Sequence, residues 1–326
     1  MAKKIVCFGG GAVVPKLIMT PLKDMGFDIV GITSMVDNGG SAGALRKEFN
    51  VLPPGDIRRH FLALAECEEW KKKLWGFRFG KNTELSPGHF GNNFANVFIG
   101  GLEYLLGDFE KALEIISQFL NIKGKALPAT LDKVQIIIEL EDGTIVEGED
   151  EIDIGENHNR SLRVKRAFLQ PEGVAYSKAV EEIKSADFIT IGPGDMYSSI
   201  IPCFLSKGMK EAIAGSSAKK IFICPSMTKM GETQDLTVKD LCQIIENYIG
   251  TSLDFVIYNN YYPAQEKIDK FKRDQGGENK FLYKILKGDN NLNESKFMGE
   301  NLIADEEVIE HDKEKLLTVL KRIIGA

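Results

Sequence analysis

The chain has 326 residues, of which 43% are hydrophobic and 27% are charged, proportions typical of a soluble globular protein. Its formal net charge of −6 argues against broad binding to nucleic acids or anionic membranes, because both need a basic protein surface. The apolar run after Met-Ala-Lys-Lys is too short for a signal peptide or a membrane span, so we expect a cytoplasmic protein. The five cysteines lack CxxC spacing, which indicates neither a zinc site nor a disulfide framework.

Short β-branched runs alternate with amphipathic stretches, which is typical of an α/β protein with a mainly parallel sheet. The first part of the chain predicts strands at 4–8 and 29–33, and helices at 17–25, 57–75, 92–106 and 109–120. Asp56 follows Pro53-Pro54-Gly55 and is placed to be the N-cap of the long third helix. His60 follows Arg58 and Arg59 in that helix, which predicts a surface or capping position.

The pattern changes between about 131 and 169. Runs at 134–140 and 144–147 flank Glu141-Asp142-Gly143, a hairpin turn signal, and a third strand is predicted at 162–168. Because no linker rich in Pro, Ser or Gly separates this β-rich insertion from its surroundings, we expect a single domain spanning 1–326.

The α/β rhythm then resumes. It predicts helices at 175–185, 198–207, 238–248 and 306–324, and strands at 188–191, 220–224 and 255–258, the last being the final core strand. The polar composition of 269–293 predicts an exposed, mobile segment.

Three glycine-containing loops each follow a predicted strand. They are Gly9-Gly10-Gly11, Asp37-Asn38-Gly39-Gly40-Ser41 and Gly192-Pro193-Gly194-Asp195. Glycine tolerates positive φ and lets backbone N–H groups approach an anion closely. Since such loops gather at the carboxyl edge of an open α/β sheet, we expect them to meet in one cleft that binds a phosphate-bearing ligand.

Each of these signals has a structural alternative. The first loop lacks the third glycine of GxGxxG and fits a tight turn equally well. Asp37 and Asn38 suit Mg²⁺ or a ribose, but also an Asx-turn with a helix cap. His89, between glycines, predicts an exposed polar role, whereas the loop at 227–233 fits sugar or phosphate contacts and plain loop chemistry alike. No spacing assembles a hydrolase triad.

Together, these motifs resemble the YvcK branch of the CofD/YvcK family, also called the gluconeogenesis factor family. The resemblance covers about residues 4–265 and rests on Gly9-Gly10-Gly11 and on residues 37–46, 52–58, 88–92, 127–130, 192–202 and 227–233. It implies a Rossmann-like three-layer fold with a mainly parallel central sheet. It also implies a homodimer that binds a UDP-N-acetylglucosamine-like nucleotide sugar and supports growth on gluconeogenic carbon sources, cell-wall synthesis and cell shape. The alternative is a Mg²⁺-dependent transferase like the CofD enzymes, which transfer 2-phospho-L-lactate.

The resemblance also carries over a set of ligand-binding positions, with Asp37 as the metal ligand if Mg²⁺ binds. They are Gly9, Gly10, Gly11, Asp37, Asn38, Gly39, Gly40, Ser41, Asp56, Arg58, His89, Asn92, Gly192, Gly194, Tyr197, Ser198, Thr228, Glu232 and Thr233.

Some positions depart from the family pattern. Ala12 and Val13 replace the usual Thr-Gly of the first loop, and Asn38 stands where an aspartate is usual. Asp195 replaces a serine and adds a negative charge beside the third loop. That charge would repel an anionic ligand unless Mg²⁺ or a lysine intervenes.

Overall fold

The computed structural model describes residues 2–80, 91–274, 284–286, 292, 294–305 and 309–326. The strands are β1 (Lys4–Phe8), β2 (Asp28–Thr33), β3 (Lys125–Pro128), β4 (Gln135–Leu140), β5 (Ile145–Glu147), β6 (Val164–Gln170), β7 (Phe188–Ile191), β8 (Lys219–Ile223), β9 (Met227–Thr228), β10 (Phe255–Asn259), β11 (Lys284–Ile285) and β12 (Phe297–Glu300).

The α-helices are α1 (Thr20–Asp24), α2 (Gly40–Phe49), α3 (Gly55–Leu64), α4 (Glu69–Gly76), α5 (Phe94–Leu106), α6 (Phe109–Phe119), α7 (Glu149–Asp153), α8 (Ser177–Lys184), α9 (Met209–Gly215), α10 (Val238–Ile249), α11 (Gln265–Asp274) and α12 (Lys313–Ile324). Two π-helical turns, Pro15–Met19 and Met196–Ile200, and a 3₁₀ turn, Ile201–Phe204, complete the helical segments. Among the described helices, none is long and apolar enough to cross a membrane.

Seven strands form the central sheet in the order β12-β10-β8-β7-β1-β2-β3, and every neighbouring pair is parallel. From β1 the chain winds outward through β2 to β3, and from β7 it winds the other way through β8 and β10 to β12. The direction of winding therefore changes between β1 and β7. In open α/β sheets the loops at such a switch point leave a crevice at the carboxyl edge.

The sheet is buried on both faces, which makes three layers. Side chains alternate along β1, so Val6 and Phe8 belong to one apolar cluster whereas Ile5 and Cys7 belong to the other. The predicted insertion forms an antiparallel sheet in the order β5-β4-β6, and its Ile136 lies in the cluster of Val6 and Phe8. The Rossmann-like α/β prediction with a β-rich insertion is confirmed.

The predicted helix at 57–75 is wrong as a single element, because it breaks into α3 and α4. Ala65 has an extended backbone, with φ −66° and ψ 131°, and forms an isolated antiparallel bridge with Ile122. The N–H of Glu66 donates to the carbonyl of Asn121 over 3.2 Å. These long-range bonds satisfy the backbone outside a helix, and the sequence pattern of 57–75 contains no sign of them.

Other boundaries also differ from the predictions. Residues 198–207 do not form the predicted helix: 198–200 end a π-helical turn and Ile201–Phe204 forms a 3₁₀ turn, since Pro202 has no N–H to continue an α-helix. The C-terminal helix begins at Lys313, where Asp312 caps it by accepting from the Lys315 N–H. The predicted final core strand is followed by one more parallel edge strand, β12. Of the predicted mobile segment, 269–274 belongs to α11, β11 pairs with β9, and most of the rest lies outside the described residues.

Candidate functional site

A cleft of about 800 Å³ opens at the carboxyl edge of the sheet, where the direction of winding changes. Gly11 of the first loop, Gly39 of the second and Asp195 of the third all line it. The predicted meeting of the three loops therefore occurs, although Gly10 lies against Asp56 and Gly194 lines a neighbouring pocket.

Arginines form one wall of this cleft. Arg58, Arg59 and Arg78 all line it, and the first two come from α3. Arg58 is only 8% exposed, and its side chain forms no hydrogen bond or ion pair with any described residue. Burial, together with repulsion from Arg59 and Arg78, lowers the pKa of Arg58 to about 10, so the guanidinium is still charged at neutral pH. A buried charge without a partner is costly, which indicates a place for an anion.

Carboxylates line the cleft as well. Asp37, Asp56, Glu149, Asp153 and Asp195 line the same cleft. Burial and then the charge of Asp56 raise the pKa of Asp37 to about 6, and burial and then Asp37 raise the pKa of Glu149 to about 9. Several carboxyl groups therefore lie close enough to repel one another when ionised, as they do where a cation or hydroxyl donors bind.

Asp56 does not cap α3 as predicted. It lies in the first turn of the helix, where Pro54 is the N-cap residue. Its Oδ1 accepts from the N–H of Gly11 over 2.9 Å and pairs with Arg59 over 2.6 Å. An added Cβ on Gly10 would lie 2.3 Å from Asp56 Oδ2, so a larger residue there would displace this carboxylate. Asp56 thus joins the first loop to the arginine wall.

The second loop contains the Asx-turn hydrogen bond that was the structural alternative for Asp37. Asp37 Oδ1 accepts from the Gly39 N–H over 3.1 Å, and Gly40 begins α2 with φ +45°. Asn38 turns away from the ligand space and bonds Asp150 of the insertion. Ser41 donates to Asn92 Oδ1 over 3.1 Å, which joins α2 to the segment before α5.

The third and fourth loops are joined by Glu232. Its carboxylate accepts from the N–H groups of Tyr197 and Ser198 over 2.6 and 3.1 Å, and from the Ser198 hydroxyl over 3.1 Å. Thr233 Oγ1 accepts from the Lys229 N–H, and Thr228 is buried. A protein carboxylate thus binds the backbone N–H groups of Tyr197 and Ser198, two positions that the resemblance implied to be ligand-binding.

A lysine pairs with the negative charge of Asp195. Lys229 Nζ lies 2.8 Å from Asp195 Oδ2, which confirms one of the two predicted alternatives. Gly192, with φ +76°, donates its N–H to the Phe8 carbonyl and so links the first and third loops. The carbonyl of Gly9, which has φ +146°, accepts from His60 Nε2 over 2.9 Å. His60 is therefore fully buried, and its predicted surface position is wrong. His89 lies outside the described residues.

The cleft contains charged residues that the sequence did not indicate as site residues. Arg59 and Arg78 carry a charge with no distinctive spacing, whereas Glu149 and Asp153 belong to α7 of the insertion. Only the packing of the insertion over the second loop brings α7 to the cleft. The adjacency of Arg59 to Arg58 was the one usable signal.

A smaller apolar pocket of about 280 Å³ adjoins the cleft and shares Asp195 with it. Val13, Pro193 and Ile309 contribute to its lining, together with His311. His311 is only 7% exposed, its Nε2 has no hydrogen-bond partner among the residues that the structure describes, and burial lowers its pKa to about 4. His311 lies in a polar stretch of sequence, so only the tertiary structure reveals a neutral imidazole buried beside a pocket.

The model of the family described as "2-phospho-L-lactate transferase CofD" matches residues 5–296. The chain belongs to the CofD family. Among its CofD-family relatives, the putative gluconeogenesis factor of Thermotoga maritima is 35% identical over 325 residues, which are 98% of this chain and 99% of the relative. The gluconeogenesis factor of Bacillus subtilis is 34% identical, over 97% of this chain and 96% of its own length.

The fold of the CofD-family chain also matches a solved structure. A crystal structure of a UPF0052 family member from Bacillus halodurans has a TM-score of 0.86 and 30% sequence identity, covering 98% of this chain and 99% of that one. The predicted resemblance to the gluconeogenesis factors is therefore confirmed along nearly the whole chain.

Proposed function

We propose that this CofD-family chain is a regulatory protein of the gluconeogenesis factor type whose cleft binds a nucleotide sugar such as UDP-N-acetylglucosamine. Its output would be the control of central carbon metabolism and of cell-wall synthesis or cell shape. The relatives named as gluconeogenesis factors support the type of protein. The presence of both arginines and carboxylates in the lining of the cleft supports the class of ligand.

The buried guanidinium of Arg58 is the observation that carries this proposal. It is held in place by its helix, and the carbonyl of Arg58 accepts from Trp75 Nε1 over 2.9 Å. Three arginines meet at one wall, whereas only Arg59 among them has an ion pair with a described residue. A diphosphate supplies two negative charges and several acceptor oxygens, and guanidinium groups bind such oxygens in pairs.

The carboxylates of the cleft fit the sugar part of the ligand. Hydroxyl groups donate hydrogen bonds, and carboxylates accept them more strongly than neutral groups do. Asp37 and Glu149 face the ligand space from the second loop and from α7. A ligand that carries phosphates at one end and hydroxyls at the other would pair with the arginines and donate hydrogen bonds to the carboxylates.

The apolar pocket beside the cleft fits a nucleobase. Its apolar lining suits a flat ring, and the neutral imidazole of His311 offers one hydrogen bond from within. Gly11 lines the cleft, its neighbour Ala12 lines the pocket, and Asp195 lines both. Because the two cavities adjoin in this way, one ligand would occupy both.

Calorimetry with UDP-N-acetylglucosamine tests the proposal. The wild type should bind, and Arg58→Gln should lose about tenfold to hundredfold in affinity, since a charge-assisted hydrogen bond contributes roughly 1.5 to 3 kcal/mol. Arg322→Gln is the matched control, because Arg322 pairs with Glu300 on the exposed surface of α12. Absence of binding by the wild type, or unchanged affinity in folded Arg58→Gln, would contradict the proposal.

The second candidate is a CofD-like transferase that joins a phosphorus-containing group to an acceptor hydroxyl. The carboxylates of Asp37, Asp56 and Glu149 favour it, because hard oxygen ligands suit Mg²⁺ and a divalent ion would relieve their mutual repulsion. Asp37 with Glu149 would hold the ion, which when bound would polarise a phosphoryl oxygen. Ligand binding that requires Mg²⁺ and is followed by turnover would favour this candidate.

The homodimer and the cytoplasmic location stay predictions. Light scattering coupled to size-exclusion chromatography measures the first, and cell fractionation measures the second. A monomer at micromolar concentration would contradict the homodimer.

A further inference from the structure

One cation is enclosed by three carboxylates at the edge of the cleft. Lys229 Nζ contacts Asp153 Oδ1, lies 2.8 Å from Asp195 Oδ2 and lies 2.9 Å from Glu232 Oε1. Its side chain is only 4% exposed. The three carboxylates come from α7, from the loop after β7 and from the loop after β9, so they are distant in sequence and gathered only by the fold.

These carboxylates have the geometry of a metal site. One oxygen from each of them lies within 4.8 Å of the others. Such a set resembles the oxygen ligands that Mg²⁺ and Mn²⁺ take in proteins. An ammonium ion stands among the three oxygens instead, and it donates hydrogen bonds to them.

The backbone fixes that ammonium ion in place. The Lys229 N–H donates to Thr233 Oγ1 over 2.9 Å, and the Lys229 carbonyl accepts from the N–H groups of Glu232 and Thr233. This tight turn sets the direction of the side chain. Lys229 is therefore held at the cluster by its own loop and does not depend on a ligand to reach it.

Lys229 neutralises part of the negative charge of the three carboxylates. Three carboxylates and one ammonium ion leave an excess of negative charge beside the third glycine loop. Burial and then the charge of Glu232 raise the pKa of Asp195 to about 6, and Lys229 acts in the opposite direction. Without the ammonium group of Lys229, the net charge of this poorly solvated cluster would be more negative by one unit. The cluster would then repel an anionic ligand or bind a cation in place of the ammonium group.

We propose that Lys229, at the edge of the cleft, takes the place of a divalent metal ion at Asp153, Asp195 and Glu232. In the native protein these three carboxylates then bind no divalent cation. Removal of the ammonium group opens a divalent-cation site at the same three carboxylates. Where the proposed function holds, Lys229 also makes nucleotide-sugar binding independent of divalent ions at these carboxylates.

Mn²⁺ binding to the ligand-free full chain tests the proposal, with electron paramagnetic resonance to count bound ions. The wild type and Asp195→Asn should bind the same number of Mn²⁺ ions. Lys229→Ala should bind one more ion, and the double variant Lys229→Ala/Asp195→Asn should lose it. Lys165→Ala is the matched control, because Lys165 pairs with the single carboxylate of Glu139 at an exposed site and should add no ion.

Two results would overturn the proposal. One is folded Lys229→Ala that gains no ion, and the other is a wild-type ion that disappears in Asp195→Asn. If Lys229→Ala does not fold by itself, its refolding is measured by circular dichroism with Mn²⁺ and with NaCl of equal ionic strength. Recovery with Mn²⁺ alone supports the proposal, and failure to recover with Mn²⁺ contradicts it.

The ligand is tested separately. UDP-N-acetylglucosamine affinity should be unchanged by EDTA in the wild type, and in Lys229→Ala it should fall at least tenfold in EDTA and recover with Mn²⁺. If the wild type does not bind the nucleotide sugar at all, the proposed function fails, whereas the ion count of Lys229→Ala still decides the role of Lys229.

Discussion

Asn38 and Asp150 form two reciprocal hydrogen bonds across 112 positions of sequence. Asn38 Nδ2 donates to Asp150 Oδ1 over 2.5 Å, and the Asp150 N–H donates to Asn38 Oδ1 over 2.9 Å. The pair joins the second glycine loop to α7 of the insertion. It explains how Glu149 and Asp153, on either side of Asp150, come to line the cleft.

Asn38→Ala should therefore destabilise the protein, because it removes both bonds of the pair. Each such bond contributes about 0.5 to 1.5 kcal/mol, so we expect a loss of roughly 1 to 3 kcal/mol in the free energy of unfolding. Urea unfolding measures the loss. Asn157→Ala is the control, since Asn157 donates to Glu151 at an exposed site and should change stability by less than about 0.5 kcal/mol. Equal effects of the two substitutions would contradict this account of Asn38.

Asp37→Asn should weaken nucleotide-sugar binding without any effect of metal. The substituted side chain keeps an oxygen that can accept from the Gly39 N–H, so the turn is retained. It loses the negative charge that accepts from sugar or ribose hydroxyls. The loss of one charge-assisted bond of about 1.5 to 3 kcal/mol corresponds to a tenfold to hundredfold lower affinity.

Titration of both proteins with UDP-N-acetylglucosamine at several Mg²⁺ concentrations measures this effect. We expect the affinity of each protein to be the same at every concentration of Mg²⁺. An affinity that rises steeply with Mg²⁺ in the wild type alone would favour the transferase instead, with Asp37 as its metal ligand.

Gly194→Val should abolish ligand binding while the protein stays folded. An added Cβ at Gly194 would come no closer than 3.6 Å to its surroundings, at Ile200 Cγ1, whereas a branched side chain would block access to the loop amides. Gly192→Ala is the contrasting variant, because Gly192 has φ +76° and its Cβ would lie 2.9 Å from the Ile223 carbonyl oxygen. We expect Gly192→Ala to lose at least about 1 to 2 kcal/mol of stability. Thermal unfolding and calorimetry of both variants separate the two effects, and a folded Gly194→Val with full affinity would refute the first.

Glu149→Gln should stabilise the protein in alkaline solution. Burial and the nearby carboxylates raise the pKa of Glu149 from its ordinary value of 4.5 to about 9, so the folded state holds a proton that the unfolded state releases. The stability of the wild type should then fall as the pH rises from about 4.5 towards 9, and the amide removes this term. Because Glu149 is half-buried and solvent screens part of the effect, we expect a gain of about 1 to 2 kcal/mol at pH 8.5.

Urea unfolding at pH 6 and pH 8.5 measures the effect of Glu149→Gln. The same change at Glu147, which is exposed and precedes Glu149 by two residues, is the control and should leave the pH dependence as it is. A stability difference between wild type and Glu149→Gln that does not grow with pH would show that Glu149 is ionised in the folded state throughout.

Much of the fold follows from local patterns. The strands β1, β2 and β7 and the glycine loops after them are encoded by β-branched runs followed by residues that tolerate positive φ. Alternation along β1 divides its side chains between the two apolar clusters. These features have periods of a few residues, which is why the sequence predicts them and why it predicts that the loops meet at one edge.

The chemistry of the cleft depends on contacts that no local pattern contains. Lys229 meets Asp153 across 76 positions, Asp56 turns from the expected cap towards Gly11, and His60 is buried against Gly9. These contacts form because the insertion and α3 pack onto the sheet, which brings residues that are far apart in the sequence within bonding distance. Sequence alone therefore determined the family, the layers and the place of the cleft, whereas the tertiary structure decided which charges face one another, because electrostatic pairing depends on distances in space between residues far apart in the chain.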